Sequence, residues 1–316
     1  MMARGRTTGC LFAVLALLAL ASTPTAGAVL GRRTPTCQGM ATRFSFGMTN
    51  LDASHVNAEL VFTNVSGAAC ALDGAPRVRF VARGGKVIGN ASVPGRGGAV
   101  SITLEPGAQV HAMLRTTTPS AWPPAACRPT LAWGVLVAAP SSAHWWRRHF
   151  PLSVCAGRRV HESTTAPLAA GPGPVPAWCT SAQLTDSLGR PQRGDGATDV
   201  PLVFTNPVLY TCTLRGYPTV RSVRGAAHDP VGPPAVPATA AVRTIWLQPF
   251  GGRASSTFAV KDTAGLPAAA CRAKRTSGVV VTAPHTAVGT YLVYNHVVCQ
   301  AAPSTTVSPL VAGSSG

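Results

Sequence analysis

The chain has 316 residues, 46% of them hydrophobic, and a formal net charge of +17 from 27 Lys and Arg against 10 Asp and Glu. The basic residues are spread evenly, whereas nucleic-acid-binding proteins usually concentrate them on one stripe, so the charge indicates a basic surface suited to other anionic partners. The few carboxylates disfavour a glycosidase, which requires two of them close together.

The first 28 residues have the features of a cleaved secretory signal peptide. Arg4 and Arg6 precede an apolar run at 11–21, and residues 26–28 (Ala-Gly-Ala) form a small-x-small cleavage site. The run is short for a membrane span, and no second segment of about 18 apolar residues follows. Because no cysteine ends the run, no lipoprotein signal is indicated. We expect a mature chain that is secreted or cell-wall associated and lacks a transmembrane segment.

Eight of the nine cysteines form a frame that occurs twice. The gaps between them are 33, 57 and 28 residues in the first copy and 33, 59 and 28 in the second. An even number of cysteines in an exported chain predicts disulfides. The eight are Cys37, Cys70, Cys127, Cys155, Cys179, Cys212, Cys271 and Cys299.

The segments between the cysteines repeat as well. Residues 60–81 and 202–223 are identical at 12 of 22 positions without a gap, and the Leu-Glu-Pro-Gly of 104–107 recurs as Leu-Gln-Pro-Phe-Gly at 247–251. Short β-branched and aromatic runs bounded by turn residues predict strands in both copies. We therefore expect an all-β protein of two tandem immunoglobulin-like antiparallel β-sandwiches, over 37–155 and 179–299.

This architecture predicts the disulfide pairing. If the first and second cysteines end one antiparallel strand pair and the third and fourth end the last pair, each pair of Cα atoms comes within bonding range. Four cysteines allow three pairings, and the sequence leaves the other two open. The predicted bonds are Cys37–Cys70, Cys127–Cys155, Cys179–Cys212 and Cys271–Cys299.

Two segments lie outside the predicted sandwiches. Residues 156–178 contain Gly-Pro-Gly-Pro-Val-Pro at 171–176, which predicts a semi-extended linker that holds the sandwiches apart or at a preferred angle. The tail at 300–316 is rich in Ser, Thr and Pro, which predicts disorder.

The second copy resembles a known family at Thr-Cys-Thr-Leu-Arg-Gly-Tyr-Pro (211–218) and at Pro-Leu-Val-Phe-Thr-Asn (201–206). These motifs are similar to those of domain of unknown function 4232, a family of exported actinobacterial proteins. The first copy departs from the pattern at 71–76, where the aromatic residue before Pro is lost. The resemblance implies an envelope-associated or secreted β-sandwich from a mycobacterium or a relative. It implies no activity and transfers no catalytic residue.

One segment breaks the symmetry between the copies in a way that suggests binding. Trp145, Trp146, Arg147 and Arg148 have Gly-Thr-Tyr-Leu as their gap-free counterpart at 289–292. We interpret them as a candidate binding edge, with indole rings to stack on a sugar or peptide and guanidinium groups for an anion. The structural alternative is that one of the tryptophans packs against the linker or the second sandwich.

The sequence shows no catalytic or metal-binding motif. A Gly-x-Ser-x-Gly elbow, His-Glu-x-x-His and Cys-x-x-Cys are all absent, and His144 and His149 lack a third metal ligand. The matched Asn64 and Asn206 are expected to cap turns. We expect a non-enzymatic protein without cofactor or metal, binding an anionic envelope polymer or another exported protein, with its oligomeric state open. The alternatives are an envelope-directed hydrolase with a site between the sandwiches, and a host-facing surface protein.

Overall fold

The computed structural model describes residues 34–98, 100–194, 196–264 and 266–314, so the predicted signal peptide at 1–28 lies outside the described residues. The fold is all-β, with two tandem sandwiches that carry two disulfides each, as predicted. No helix in the described ranges is long and apolar enough to cross a membrane.

Besides two 3-10 turns, the first sandwich contains twelve short or medium strands and one α-helical turn. They are β1 Thr42–Asp52, β2 His55–Asn64, β3 Cys70–Asp73, β4 Arg77–Val81, β5 Val87–Ile88, β6 Val93–Pro94, β7 Ser101–Leu104, β8 Gln109–Thr117, α1 Pro124–Cys127, β9 Pro129–Ala138, β10 Trp146–Cys155, β11 Ser163–Thr165 and β12 Ala169–Ala170. One sheet has the order β1-β2-β8-β11-β6, with β12 also beside β8; the other has the order β10-β9-β4-β5, and β3 pairs with β7.

The core of the first sandwich fills the space between these two sheets. Leu60 and Leu114 come from β2 and β8, while Phe80 and Val135 come from β4 and β9, and each is at most 1% exposed. Alternate residues of β4 are exposed, because successive side chains of a strand point to opposite faces. The outer face of the β10-β9-β4-β5 sheet is thereby left to polar and aromatic side chains.

The second sandwich repeats this plan and contains, besides one 3-10 turn, fifteen strands and one α-helical turn. They are β13 Thr185–Leu188, β14 Gln192–Gly194, β15 Ala197–Asn206, β16 Cys212–Arg215, β17 Thr219–Arg224, β18 Asp229–Pro230, β19 Val236–Pro237, β20 Thr244–Leu247, β21 Gly252–Lys261, α2 Ala268–Cys271, β22 Ala273–Arg275, β23 Gly278–Thr282, β24 Thr290–Val293, β25 Val297–Cys299, β26 Thr305–Val307 and β27 Val311–Ala312. Its larger sheet has the order β13-β15-β21-β26-β19, facing β18-β17-β23-β24.

The predicted linker at 156–178 is wrong for its first half. Strands β11 and β12 both pair with β8, with Ser163 opposite Thr116 and Ala169 opposite His111. The segment is held there because Thr165 is fully buried and its hydroxyl donates to the Pro76 carbonyl at 2.9 Å. The first sandwich therefore extends to residue 170, with a short parallel pair between β6 and β11.

The predicted disorder of the tail at 300–316 is also wrong for residues 300–314, which the structure describes. Strand β26 pairs with β21 and β27 pairs with the same strand further along. Despite its polar composition, the tail contributes two apolar side chains to the second core. They are Val307 and Leu310, which are 1% and 2% exposed. Ser304 accepts the backbone N–H of Cys299 at 2.9 Å, so part of the polar content also serves the fold.

The four disulfides have the predicted connectivity, with Cα–Cα distances of 4.9, 4.5, 4.8 and 4.4 Å in chain order. The reasoning holds for the later pair of each copy, since Cys155 lies at the end of the β9–β10 pair opposite Pro129. It was wrong for the earlier pair. Cys37 precedes β1, and the chain segment that contains it runs parallel to β3. The Cys37 N–H donates to the Ala71 carbonyl of β3 at 2.9 Å.

The repeated asparagines have the turn-capping role that was predicted. The Asn64 amide donates to the Ala68 and Leu104 carbonyls at 2.8 and 2.9 Å. Asn206 donates equivalently to Tyr210 and Leu247 at 2.8 and 3.1 Å. Both are fully buried, so they belong to the scaffold.

The two sandwiches touch directly, so the linker does not hold them apart. The Gln248 side-chain amide makes two hydrogen bonds to the backbone of Phe46 in β1. Its oxygen accepts the Phe46 N–H at 2.7 Å and its nitrogen donates to the Phe46 carbonyl at 2.8 Å, as a neighbouring strand would. Nearby, the Thr49 hydroxyl donates to the Leu209 carbonyl and accepts the Thr211 N–H at 2.8 Å. The contact is thus built on a polar frame.

An aromatic residue completes this contact. Phe250, which the Leu-x-Pro-Gly turn of the first copy lacks, lies edge-on to Phe150 with ring centroids 5.4 Å apart. Its carbonyl is 3.4 Å from Nδ1 of His149. The insertion in the second copy therefore supplies the apolar part of the contact.

Candidate functional site

The four residues predicted to form one binding edge lie on two faces of the sheet. Trp146 faces the core, with its ring centroid 6.1 Å from Phe44 and 5.8 Å from Phe62. Arg148 also faces inward and donates to the Phe44 carbonyl at 3.3 Å. Neighbouring residues of a strand alternate between the two faces of the sheet. The prediction that all four residues form one binding edge is therefore wrong. Trp145 and Arg147 lie on the outer face.

The Arg148 side chain is half-buried on the core side of the sheet. Its guanidinium lies 5.6 Å from the centre of the Phe44 ring, and burial lowers the pKa of Arg148 below its usual range. The structural alternative, in which a tryptophan packs against the linker or the second sandwich, is wrong for Trp146, because its ring packs against the core of its own sandwich.

The outer face joins Arg147 to residues distant in sequence. The strand register places Arg79 of β4 and Arg147 of β10 on either side of Leu136 of β9. The guanidinium carbon of Arg147 lies 4.4 Å from the centre of the Trp133 ring. The guanidinium therefore lies over the face of an indole at a distance that is favourable for a cation–π interaction.

A second stack lies at the other end of the row. Arg79 and Arg77 approach the Trp145 ring at 4.8 and 5.1 Å. Three arginines are therefore stacked on two tryptophans on one side of the sheet. We call this surface the Arg–Trp face and define it as Arg77, Arg79, Trp133, Trp145 and Arg147.

The arginines of the Arg–Trp face have no carboxylate partner among the described residues. The ion pairs found in that part of the chain all involve Asp52, with His55 and Arg115. Arg77 and Arg147 donate to the carbonyls of Ser142 and Arg83 instead. Because a guanidinium has five N–H donors, each arginine keeps donors for an external acceptor.

The second copy provides an internal comparison. The gap-free counterparts of Trp133, Trp145 and Arg147 are Ser277, Gly289 and Tyr291, and only Arg79 is matched by an arginine, Arg221. Scaffold positions such as the cysteines and asparagines are shared, whereas this surface is not. The asymmetry is what a site acquired by one copy would show.

The Trp133 side of the Arg–Trp face adjoins the contact with the second sandwich. His149 lies 5.0 Å from Trp133 and also meets Phe250. His144 instead packs edge-on against Trp146 at 4.9 Å. The two histidines thus have different neighbours, and no group of three potential metal ligands occurs within the described ranges.

Sequence reasoning missed Arg77, Arg79 and Trp133 because they join the site through strand pairing. The alternation of Arg77-Val78-Arg79-Phe80 was a usable signal, since it places both arginines outward. Trp133 carried no such signal, because its strand bends at an irregularity in the β9–β10 register.

One perturbed carboxylate lies beside a histidine under the segment that follows β12. Glu59 is 2% exposed, its Oε2 has no hydrogen-bond partner, and burial raises its pKa while the charge of His111 opposes the rise. The backbone at Gly173 covers it so closely that a Cβ there would lie 2.3 Å from Oε2. The Glu59 carboxylate is therefore sealed from solvent, whereas His111 is partly exposed.

Burial also raises the pKa of two further carboxylates, Asp186 and Glu162. Burial raises the pKa of Glu162 to about 7, although its Oε2 accepts the Cys155 N–H at 2.7 Å. In the second copy Ser304 accepts the corresponding Cys299 N–H. A neutral hydroxyl performs the same task there, which identifies the role as structural.

Comparison with protein families agrees with the duplication seen in the fold. The family model described as Domain of unknown function (DUF4232) matches residues 37–167 and 179–310. The matched ranges include β11 of the first copy and β26 of the second, both outside the sandwiches predicted from the sequence. Among curated proteins, none matches the chain.

Proposed function

The chain belongs to the DUF4232 family in two tandem copies, and we propose that it is an exported, non-enzymatic protein whose first sandwich binds an anionic polymer of the cell envelope. The observation that carries this proposal is the Arg–Trp face, where three arginines stacked on tryptophan rings have no carboxylate partner in the described part of the chain.

The chemistry of the Arg–Trp face favours carboxylate, sulfate or phosphate groups. A guanidinium presents paired donors that match such groups, and stacking holds it in place before a ligand arrives. Adjacent strands are about 4.8 Å apart, so Arg79 and Arg147, with β9 between them, are roughly 10 Å apart. Two arginines at that separation can each bind a different anionic group of one extended chain. This spacing favours a polymer over a single small ion as the ligand.

Several features support an envelope location. The signal-peptide pattern at 1–28 predicts export, and four disulfides are typical of proteins in oxidising compartments. Without the first 28 residues the formal charge is +15. Such a surface is attracted to anionic envelope material over long range, and the Arg–Trp face adds short-range selectivity.

The hydrolase alternative required an accessible carboxylate and histidine near residues 156–178. Glu59 and His111 satisfy the pairing, but the 2% exposure of Glu59 leaves no room for a substrate. Among the described residues, the side chains of the Arg–Trp face are more accessible to a ligand than the Glu59 carboxylate. This difference supports a binding function over hydrolysis.

The proposal can be tested by capturing the mature chain, residues 29–316, on fractionated envelope polymers at low and high salt. We expect retention on anionic fractions that weakens with salt but persists partly, because stacking is less sensitive to screening than charge. Trp145→Ala should reduce the part that resists salt. If all retention is lost at modest salt, or if Trp145→Ala is retained as strongly as the unmodified chain, the binding is only nonspecific charge attraction and the proposal fails. Retention on no polymer would favour a protein partner instead.

A further inference from the structure

The second sandwich contains a cleft of about 600 Å³. Its walls come from the ends of β14 and β21 and from the stretch between β24 and β25, with Arg193, Lys261, Tyr294 and His296 among the lining residues. The volume falls in the range of about 300–1,000 Å³ that is typical of small-ligand sites.

An aromatic pair forms part of this cleft. The rings of Tyr294 and His296 are stacked with centroids 4.8 Å apart. His296 is held on both sides, since Nδ1 lies 2.8 Å from the Tyr294 carbonyl and Nε2 lies 2.9 Å from the Ser222 hydroxyl. The Thr276 hydroxyl is 2.7 Å from Nδ1. The network fixes the ring, so Tyr294 rests on a rigid support.

This polar network replaces an apolar core in the other copy. The counterparts of Ser222, Thr276, Tyr294 and His296 are, in the same order, Phe80, Ala132, Phe150 and Leu152. All four belong to or pack against the core of the first sandwich. Buried polar networks in place of well-packed apolar side chains seldom add stability. The substitution of a whole network is therefore better explained by the cleft beside it.

The rim of the cleft carries two cationic side chains, Arg193 and Lys261, and one carboxylate, Asp262, so its formal charge is positive. Neither Arg193 nor Lys261 forms an ion pair within the described ranges. Asp262 uses Oδ1 to accept the Ala264 N–H at 3.0 Å. Hydroxyl and amide groups of Thr198, Thr263 and Asn295 also line the space.

We propose that this cleft binds a single sugar residue that carries an acidic group. The sugar ring lies against Tyr294, the acid group meets Arg193 and Lys261, and the hydroxyl and amide side chains meet the sugar hydroxyls. Aromatic rings suit the apolar face of a sugar, and cationic side chains suit its acid. The site is independent of the Arg–Trp face. Ser222 does not line the cleft, so we assign it no nucleophilic role.

The test is a titration of the ¹⁵N-labelled mature chain with D-galacturonate, galactose 6-phosphate and neutral galactose, followed by amide chemical shifts. We expect saturable shifts around Gly196 and Thr263 with at least one acidic sugar, and the tighter of the two identifies the acid group. Arg193→Gln with Lys261→Gln should weaken that binding at least tenfold.

Arg215→Gln with Arg243→Gln is the charge-matched control, because both residues are exposed and outside the cleft. It should bind as the unmodified chain does. Equal binding of neutral galactose, shifts located elsewhere, no saturable shift, or unchanged affinity in the Arg193/Lys261 variant would each overturn the proposal. Because the variants alter exposed side chains, an unchanged amide spectrum without ligand verifies the fold.

Discussion

The contact between the sandwiches should measurably stabilise the first one. Replacing Gln248 by Ala removes two hydrogen bonds to the backbone of Phe46, each contributing about 1 kcal/mol. Replacing Phe250 by Ala removes the edge-on contact with Phe150; for a half-buried ring, lost burial and the aromatic pair together amount to about 2 kcal/mol. The double variant should therefore weaken the contact by about 3–4 kcal/mol.

The assay is equilibrium urea unfolding followed by tryptophan fluorescence, to which Trp146 in the first core contributes. We expect the double variant to lose a large part of the stabilisation of the first sandwich, so that its transition moves to lower urea. The control is Glu105→Ala, because Glu105 is the exposed counterpart of Gln248 in the first copy, and its effect should stay within about 0.5 kcal/mol. A change of less than about 1 kcal/mol in the double variant would refute the reasoning.

Three further predictions concern single side chains. Glu59→Gln should raise the free energy of unfolding at neutral pH by about 1 kcal/mol, because it removes a buried carboxylate whose Oε2 has no partner; no gain in thermal unfolding would contradict this. The folded pKa of Glu162 is about 7 against an ordinary 4.5, so its contribution is complete below about pH 4.5 and is lost as pH rises through 7. Stability relative to Glu162→Gln, followed by urea unfolding at several pH values, should fall across that window, and a flat difference would exclude the effect. Trp146→Ala should cost about 2–3 kcal/mol in unfolding free energy, because Trp146 is a half-buried ring packed against the first core, and Trp145→Ala should cost under about 1; equal losses would contradict the assignment of the two rings to opposite faces.

The fold was predictable because the cysteine frame occurs twice, whereas the disulfide pairing was predicted correctly with reasoning that holds only for the later pair of each copy. A repeated spacing limits both copies to one architecture, and short strands between turn residues indicate sheets. The strands at Ser163–Thr165 and Thr305–Val307 escaped prediction because their Ser and Thr content is typical of loops. Their formation depends on pairing with β8 and β21, and a composition argument contains no information on such long-range partners.

The candidate site was only half predictable for a related reason. Trp145 and Arg147 were found from asymmetry between the copies, but strand alternation places Trp146 and Arg148 on the other side. Arg77 and Arg79 reach the site through the register of β4 with β9. Register across three strands is set by packing of the whole sandwich, so the site could not be completed from local sequence.

The most direct measurement of the central claim is the affinity of the mature chain for polygalacturonate at fixed salt in two matched variants. One is Arg79→Gln with Arg147→Gln, on the Arg–Trp face. The other is Arg221→Gln with Arg224→Gln, which removes the same charge from exposed positions of the second copy. We predict at least a tenfold rise in Kd for the first variant and less than a twofold change for the second. Equal weakening of binding by both variants would contradict a specific site on the first sandwich.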